Sequence, residues 1–391
     1  MNKKKDISLC AMGLLVAVAT GASVASGVFF DFINVGLGGY GIDTSTLDYS
    51  KGDALCQDIE SEGIVLLKNK DNALPLKAKE GDSTKINVFG WGASNGGFIT
   101  SGAGSGSSED RGNGLKTTFV DALNQNGFSV NPDLMSIYTK YKSGRDKGDY
   151  WNAAYPFFNL IEPDASVYTD DVIDQAKDYS DTAVVVISRL GGEGQDLPRE
   201  QRKWNMKTDT TRTYLQLSKE EEDMLSIVED NFDKVVIVLN TCNAMELGFL
   251  NDDSISAAIS VGAPGQSGTV SIAKVLKGEI NPSGRTVDAY AYDLTTAANY
   301  ATSPNCRELN STKGGEKTYT NDGKYIDYNE GIYVGYKWYE TADKEGFFDD
   351  VSNDYGKGYD GVVQYPFGYG LSYSDFKWDI ESVEPANGST I

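Results

Sequence analysis

A chain of 391 residues, with 40% apolar and 24% charged residues, is long enough and apolar enough to bury a full core, and its 23 Tyr against 10 Pro are no mark of a disordered polymer. Its 57 acidic residues against 35 basic ones give a net charge of -22, which repels phosphate backbones and, with no basic strip interleaved with aromatics, argues against a nucleic-acid partner. Histidine is absent and the four cysteines (Cys10, Cys56, Cys242 and Cys306) form no CxxC pair, so no zinc or haem cofactor is expected; an oxygen-ligated Ca²⁺ or Mg²⁺ stays open, and proton transfer would have to use carboxylates, Tyr or Lys.

The chain opens on "MNKKKDISLCAMGLLVAVATGASVASGVFF", a basic start followed by an apolar stretch. Its length predicts a transmembrane anchor over residues 7–30 with the rest of the chain outside the cell; a cleaved signal peptide ending near Ser23-Val24-Ala25, which would leave the protein secreted, and a buried core helix are the alternatives. Cys10 stands at the start of the apolar run, a poor place for lipid attachment. A linker is expected over 31–52.

Next, "GDALCQDIESEGIVLLKNKDNALPL" reads as a helix with Leu55, Ile59, Gly63 and Leu66 on its apolar face, ended by the polar turn after it. Short apolar runs follow at 86–91, 183–188, 234–240 and 257–262. Helical patterns separate them: "LKTTFVDALNQNG", "SKEEEDMLSIVEDN" and, after the last run, "SGTVSIAKVLKG". Strands apolar on both faces alternating with amphipathic segments predict an α/β fold, a mostly parallel sheet with helices on both faces. Ser218 is placed to cap the second of these helices with Glu221 at its N3 position, and Met224, Ile227 and Val228 form its apolar stripe. That leaves roughly 189–213 as an exposed loop at the carboxyl end of a buried strand, where open sheets gather ligands. Beyond Arg285 the pattern weakens, then regains order at "EGIYVGYKWYE" and at the glycine-and-aromatic turn "YPFGYGLSYSDFKW"; the last residues look like the start of a further element.

Two glycine-rich stretches bear on function. "SGAGSGSS" (101–108) lacks the lysine of a phosphate loop and the GxGxxG spacing, so a nucleotide site has little support; it reads as a wall of a polar cleft, with Ser105 a candidate contact, or as a plain connection. "GGEGQD" (191–196) sets Glu193 among glycines just past a buried strand. A solvated loop glutamate is the ordinary reading. The catalytic reading is that the glycines let a bulky ligand approach the backbone while Arg189 and Asp196 orient the carboxyl, Asp196 itself organising the loop. The aromatics of 328–339 and 365–373 read as core or as a sugar-stacking platform.

The stretches "ESEGIVLLKNKDNALPL", "ISRLGGEGQD", "VVIVLN", "GAPGQSGTVSIAKVLKGEINPSGR", "EGIYVGYKWYE" and "YPFGYGLSYSDF" follow the order seen in the second, α/β sandwich domain of glycoside hydrolase family 3, which the chain resembles from about residue 53 to 378. What the resemblance implies is a β-glucosidase-like enzyme acting on a β-linked glucoside or short oligosaccharide, in which a TIM-type barrel supplies an aspartate nucleophile and the sandwich supplies the acid/base glutamate, here Glu193. Asp196 would be the motif acid after it. Family members often have Arg directly after that acid, whereas this chain has Leu197, with Arg199 two positions later. No barrel is present in these residues, so the resemblance implies a barrel partner in cis. An order of sandwich, fibronectin-type domain and barrel follows from that reading, with 379–391 as the first strand of the fibronectin-type domain. The other reading is a non-catalytic surface protein that binds carbohydrate or acts as a scaffold.

Overall fold

The computed structural model describes residues 48–76, 83–102, 117–146, 158–193, 197–205, 207–300, 330–375 and 379–382, together with positions 12, 16, 18, 20, 328 and 377. The chain divides into two compact units, Met1–Asp48 with Arg111–Asn113, and Tyr49–Asp110 with Gly114–Ile391. Every element below belongs to the second.

In chain order these are helix α1 (Ser50–Gly63), β1 (Val65–Asn69), β2 (Thr84–Phe89), α2 (Phe119–Gln125), β3 (Phe128–Val130), α3 (Pro132–Tyr141), α4 (Asp170–Tyr179) and β4 (Thr182–Arg189). A small hairpin, β5 (Gln201–Arg202) with β6 (Thr208–Asp209), precedes α5 (Lys219–Asn231), β7 (Lys234–Thr241), β8 (Ile255–Ser260) and α6 (Thr269–Lys277). Last come β9 (Tyr290–Ala291), α7 (Tyr336–Lys344) and β10 (Val363–Tyr365).

A six-stranded sheet of order β1-β8-β7-β4-β2-β3 forms the middle layer. All its neighbours run parallel except β1, which closes one edge antiparallel to β8. All eight residues of β4 are buried, because successive side chains enter opposite covered layers. Val185 and Ile187 face α3, α4 and α5 in one apolar cluster, while Val184 and Val186 face α2 and α6 in the other. Helices on both faces of a mostly parallel sheet are what the alternating pattern predicts. Ser218 accepts from the Glu221 amide and Glu221 returns a bond to the Ser218 amide, a complete capping box at the start of α5.

Helix α1 corrects the sequence reading. It ends at Gly63, so Leu66 lies in β1, and Leu55 and Ile59 are 59% and 64% exposed. The helix docks through its other side: Cys56 Sγ donates to the Pro264 carbonyl, and Ser271 and Ser267 donate to the carbonyls of Gln57 and Asp53. Periodicity found the helix and mistook its exposed stripe for the buried one.

The N-terminal membrane segment is also corrected. Among the described residues no helix is long and apolar enough to cross a membrane, so the transmembrane or signal segment, membrane attachment through residues 7–30 and the extracellular or secreted location drawn from it are withdrawn. Apolar composition makes a span only when about 20 residues form one unbroken helix, and of residues 1–30 only Met12, Val16, Val18 and Thr20 are described, each helical and exposed. The expected cleavage site at Ser23-Val24-Ala25 lies outside the described residues, as do most of the linker and positions 383–391 of the expected fibronectin-type strand.

Candidate active site

The parallel strands deliver their following loops to one rim, and one side chain ties several of them together. Asn240, fully buried near the end of β7, accepts from the Ile99 amide at 2.6 Å and from Ser188 Oγ at 3.1 Å, and donates to the carbonyls of Ile99 and Gly262 at 2.8 Å each. The loops after β2 and β8 are thereby fixed to the ends of β4 and β7. Ile99, Phe158, Leu160, Leu190 and Tyr214 form an apolar floor beneath them.

The loop that bears Glu193 grows from this floor. Both backbone groups of Leu190 are held by Tyr214, whose hydroxyl accepts from the Leu190 amide at 2.9 Å and donates to its carbonyl at 3.1 Å. Burial pushes that phenol up to about 12, so it stays a neutral donor. The Cys242 amide donates to the Arg189 carbonyl, and the Gly191 amide donates to the Cys242 sulfur. Gly191 sits so close to Asn243 that a Cβ added there would lie 2.3 Å from Asn243 Oδ1. Glycine at this position is a packing requirement. Two residues further on, Glu193 is exposed at the end of this anchored segment.

Arg189 is placed elsewhere. It is wholly buried, and its guanidinium makes a bidentate pair with Glu221 at 2.7 and 2.6 Å, with further bonds to the carbonyls of Ser188, Tyr214 and Gln216. Burial alone would pull its pKa down; the charge and hydrogen bonds of Glu221 leave it raised. Glu221 thus serves both the cap of α5 and the last residue of β4. Arg199 is exposed, its guanidinium 4.1 Å from the centre of the Tyr300 ring and 2.7 Å from the Tyr300 carbonyl. Ser105 and Asp196 lie outside the described residues.

Sequence reasoning missed several residues near the rim. Glu162 accepts from the Trp91 amide at 2.8 Å, just past β2, and from the Tyr168 hydroxyl at 3.0 Å; burial pushes its carboxyl up to about 8. The half-buried Arg145 donates to the Gly97 carbonyl and lies over the Trp91 ring. Gln201 donates to the carbonyls of Thr213, Gln216 and Leu217 and shapes the segment bearing Tyr214. The one usable signal was the Asn that ends "KVVIVLN", a polar side chain closing an apolar run.

A sheet covered on both faces, with its loops knotted at the carboxyl ends of parallel strands, defines the class of α/β sandwich domains that offer a ligand-facing rim. Residues 64–336 match the glycosyl hydrolase family 3 C-terminal domain, and the chain belongs to that family. It is 30% identical over 341 residues to beta-glucosidase A of Butyrivibrio fibrisolvens, covering 83% of this chain and 35% of that protein. A beta-glucosidase of Ruminococcus albus is 30% identical over 348 residues, covering 88% and 30%. Among solved structures, a beta-glucosidase from Paenibacillus barengoltzii superposes with a TM-score of 0.63 at 28% identity, covering 85% of this chain and 31% of the other. Beta-glucosidase 3B from Thermotoga neapolitana in complex with glucose gives 0.60 at 27% identity, covering 84% and 39%. The chain therefore spans about a third of the length of these relatives.

Proposed function

We propose that this domain supplies the acid/base glutamate of an exo-acting retaining β-glycosidase, with a terminal β-linked glucoside as its substrate. The observation that supports this reading is the setting of Glu193: an exposed carboxyl on a glycine loop at the end of a central strand, its base held by Tyr214 and Cys242, in a chain 30% identical to beta-glucosidases. Retention of configuration needs two carboxyl groups about 5–5.5 Å apart, one attacking the anomeric carbon while the other protonates the leaving oxygen and then activates water. Glu193 is the proton donor, and the nucleophile belongs to a barrel domain elsewhere in the longer polypeptide. A sugar and a barrel closing over the rim would desolvate Glu193 and favour its protonated form. We assign Arg189 to organising the loop, since its guanidinium is buried on protein groups, and Asp196, Arg199 and Ser105 to the loop or the substrate. The order of sandwich, fibronectin-type domain and barrel is part of this reading, and the reading frame of the gene tests it.

The chain alone is expected to leave an aryl β-glucoside essentially intact. In a polypeptide that includes the barrel, Glu193→Gln should lower kcat/KM by about 10²–10⁴-fold. Appreciable turnover by the isolated chain, or unchanged turnover by Glu193→Gln with the barrel present, would refute the reading.

A further inference from the structure

The end of β4 leaves one residue without a neighbouring strand, and a side chain takes the strand's place. On one side β4 pairs with β7 as far as Arg189 and Thr241, and the Cys242 amide continues that ladder to the Arg189 carbonyl. On the other side pairing with β2 stops at Val185 and Phe89, because β2 turns away at Gly90, where φ is 94°. Successive residues of an extended strand turn their backbone groups to opposite neighbours, so Leu190 directs its amide and carbonyl to the side that β2 has left. Leu190 is buried, and either group left unpaired there would cost its full desolvation. The Tyr214 hydroxyl satisfies both at once.

Such a clamp fixes what it holds only if it is itself fixed. Tyr214 is 1% exposed, and its ring packs edge-on against Phe158 with centroids 5.5 Å apart. Arg189 Nε donates to the Tyr214 carbonyl at 2.7 Å. Thr213, just before it, is held by two side chains, Gln201 donating to its carbonyl and Gln216 accepting from its amide. The hydroxyl thus closes a loop that leaves β4 at Leu190 and returns at Tyr214, and Glu193 stands three residues inside it. The two residues between Leu190 and Glu193 are glycines. They impose little direction of their own, so the aim of the carboxyl depends on how the Leu190 backbone is held.

We propose that Tyr214 is the positioning residue of the acid/base loop: bound to both backbone groups of Leu190, its hydroxyl aims the Glu193 carboxyl at the glycosidic oxygen. The inference rests on the reading of Glu193 as the proton donor. A misaimed donor harms only the reactions that need its proton. A glycoside whose leaving group departs as a stabilised phenolate needs little protonation, whereas an alkyl glycoside needs it in full; general damage to the fold slows both alike.

The test is Tyr214→Phe, which keeps the ring and removes the hydroxyl. In the purified chain, hydrogen exchange at the Leu190 amide should rise at least 10-fold while the amides of Val236 and Ile237 in β7 stay protected; unchanged exchange at Leu190 overturns the proposal. In a polypeptide that includes the barrel, kcat/KM for methyl β-glucoside should fall by about 10–10²-fold, and for 2,4-dinitrophenyl β-glucoside by no more than about 3-fold. Val228→Ala, a buried truncation on α5, supplies the comparison: it should lower the melting temperature and leave the ratio of the two substrates alone. A Tyr214→Phe ratio no different from that of Val228→Ala overturns the proposal even if exchange has risen, because the hydroxyl then supports the fold without aiming the donor. Glu193→Gln reports on the underlying reading, and should show the same preference for the activated substrate in larger measure. If Glu193→Gln is selective and Tyr214→Phe is not, only the positioning role falls; if Glu193→Gln slows both substrates alike or neither, the acid/base reading falls and takes the positioning role with it.

Discussion

Glu162 is a carboxyl surrounded by partners that suit its protonated form poorly and by walls that suit its charged form worse. Its oxygens accept from the Trp91 amide and the Tyr168 hydroxyl, which favour ionisation, yet burial dominates, and the Glu221 and Glu220 carboxylates add to it. The folded value of about 8 lies above the unfolded value of about 4.3. The native state therefore holds a proton that the unfolded chain has released, and stability present below about pH 4.3 is lost as pH rises through 8. Glu60 on α1, raised by burial to about 8, acts in the same direction. Urea unfolding between pH 5 and 8 should show stability falling with pH from these groups, with a shallower slope in Glu162→Gln and a shallower one still when Glu60→Gln is added. An unaltered slope in the double variant would remove this account.

At the level of elements, the join between β4 and α5 rests on one buried ion pair. Removing a single partner leaves the other charge without compensation in a dry site, so Arg189→Met should cost about 3–5 kcal/mol by equilibrium unfolding. Glu221 also returns a bond to the Ser218 amide, so Arg189→Met with Glu221→Gln, which keeps an acceptor for that amide, should recover part of the loss. Ser218→Ala removes only the hydroxyl side of the box and should cost about 1 kcal/mol. The sequence made the cap legible, because a Ser three residues before a Glu at the head of an apolar stripe has a local meaning. The pairing of Glu221 with Arg189 was not legible, because it joins residues 32 apart whose meeting depends on the whole β-α crossover. The edge strand β1 was lost for a related reason: its apolar residues continue the helical spacing of α1, and only the turn to extended backbone at Ile64 separates them.

For the whole molecule, the four buried parallel strands were legible as apolar runs, since a strand covered on both faces has no polar alternation to disguise it. The three-residue β3 and the helices α3 and α4 were not, being short or strongly polar on their outer faces. Of the rim, Glu193 could be singled out by its glycines and Asn240 only as a polar end to an apolar run, whereas Tyr214 and Cys242 act through long-range bonds that no spacing announces. Asn240 joins the loops after β2 and β8 to the ends of β4 and β7, so Asn240→Leu, which keeps the volume and removes those bonds, should unpin the rim. Hydrogen exchange should then rise at Ile99 and Val261 by 10-fold or more while the amides of α4 stay protected; uniform change across the molecule would assign Asn240 to global stability alone.

The outer side of β1 is already engaged. The Gly284 and Leu371 amides donate to the carbonyls of Ile64 and Leu66, and the Tyr369 hydroxyl reaches the carbonyl of Leu67. Stripped of that strap, the sheet would end in a bare template of unpaired amides and carbonyls, an invitation to edge-to-edge aggregation. A chain cut before Pro366 should accordingly form β-rich assemblies on standing, and the stretch from Pro366 to Leu371 acts as a guard on the sheet's open margin.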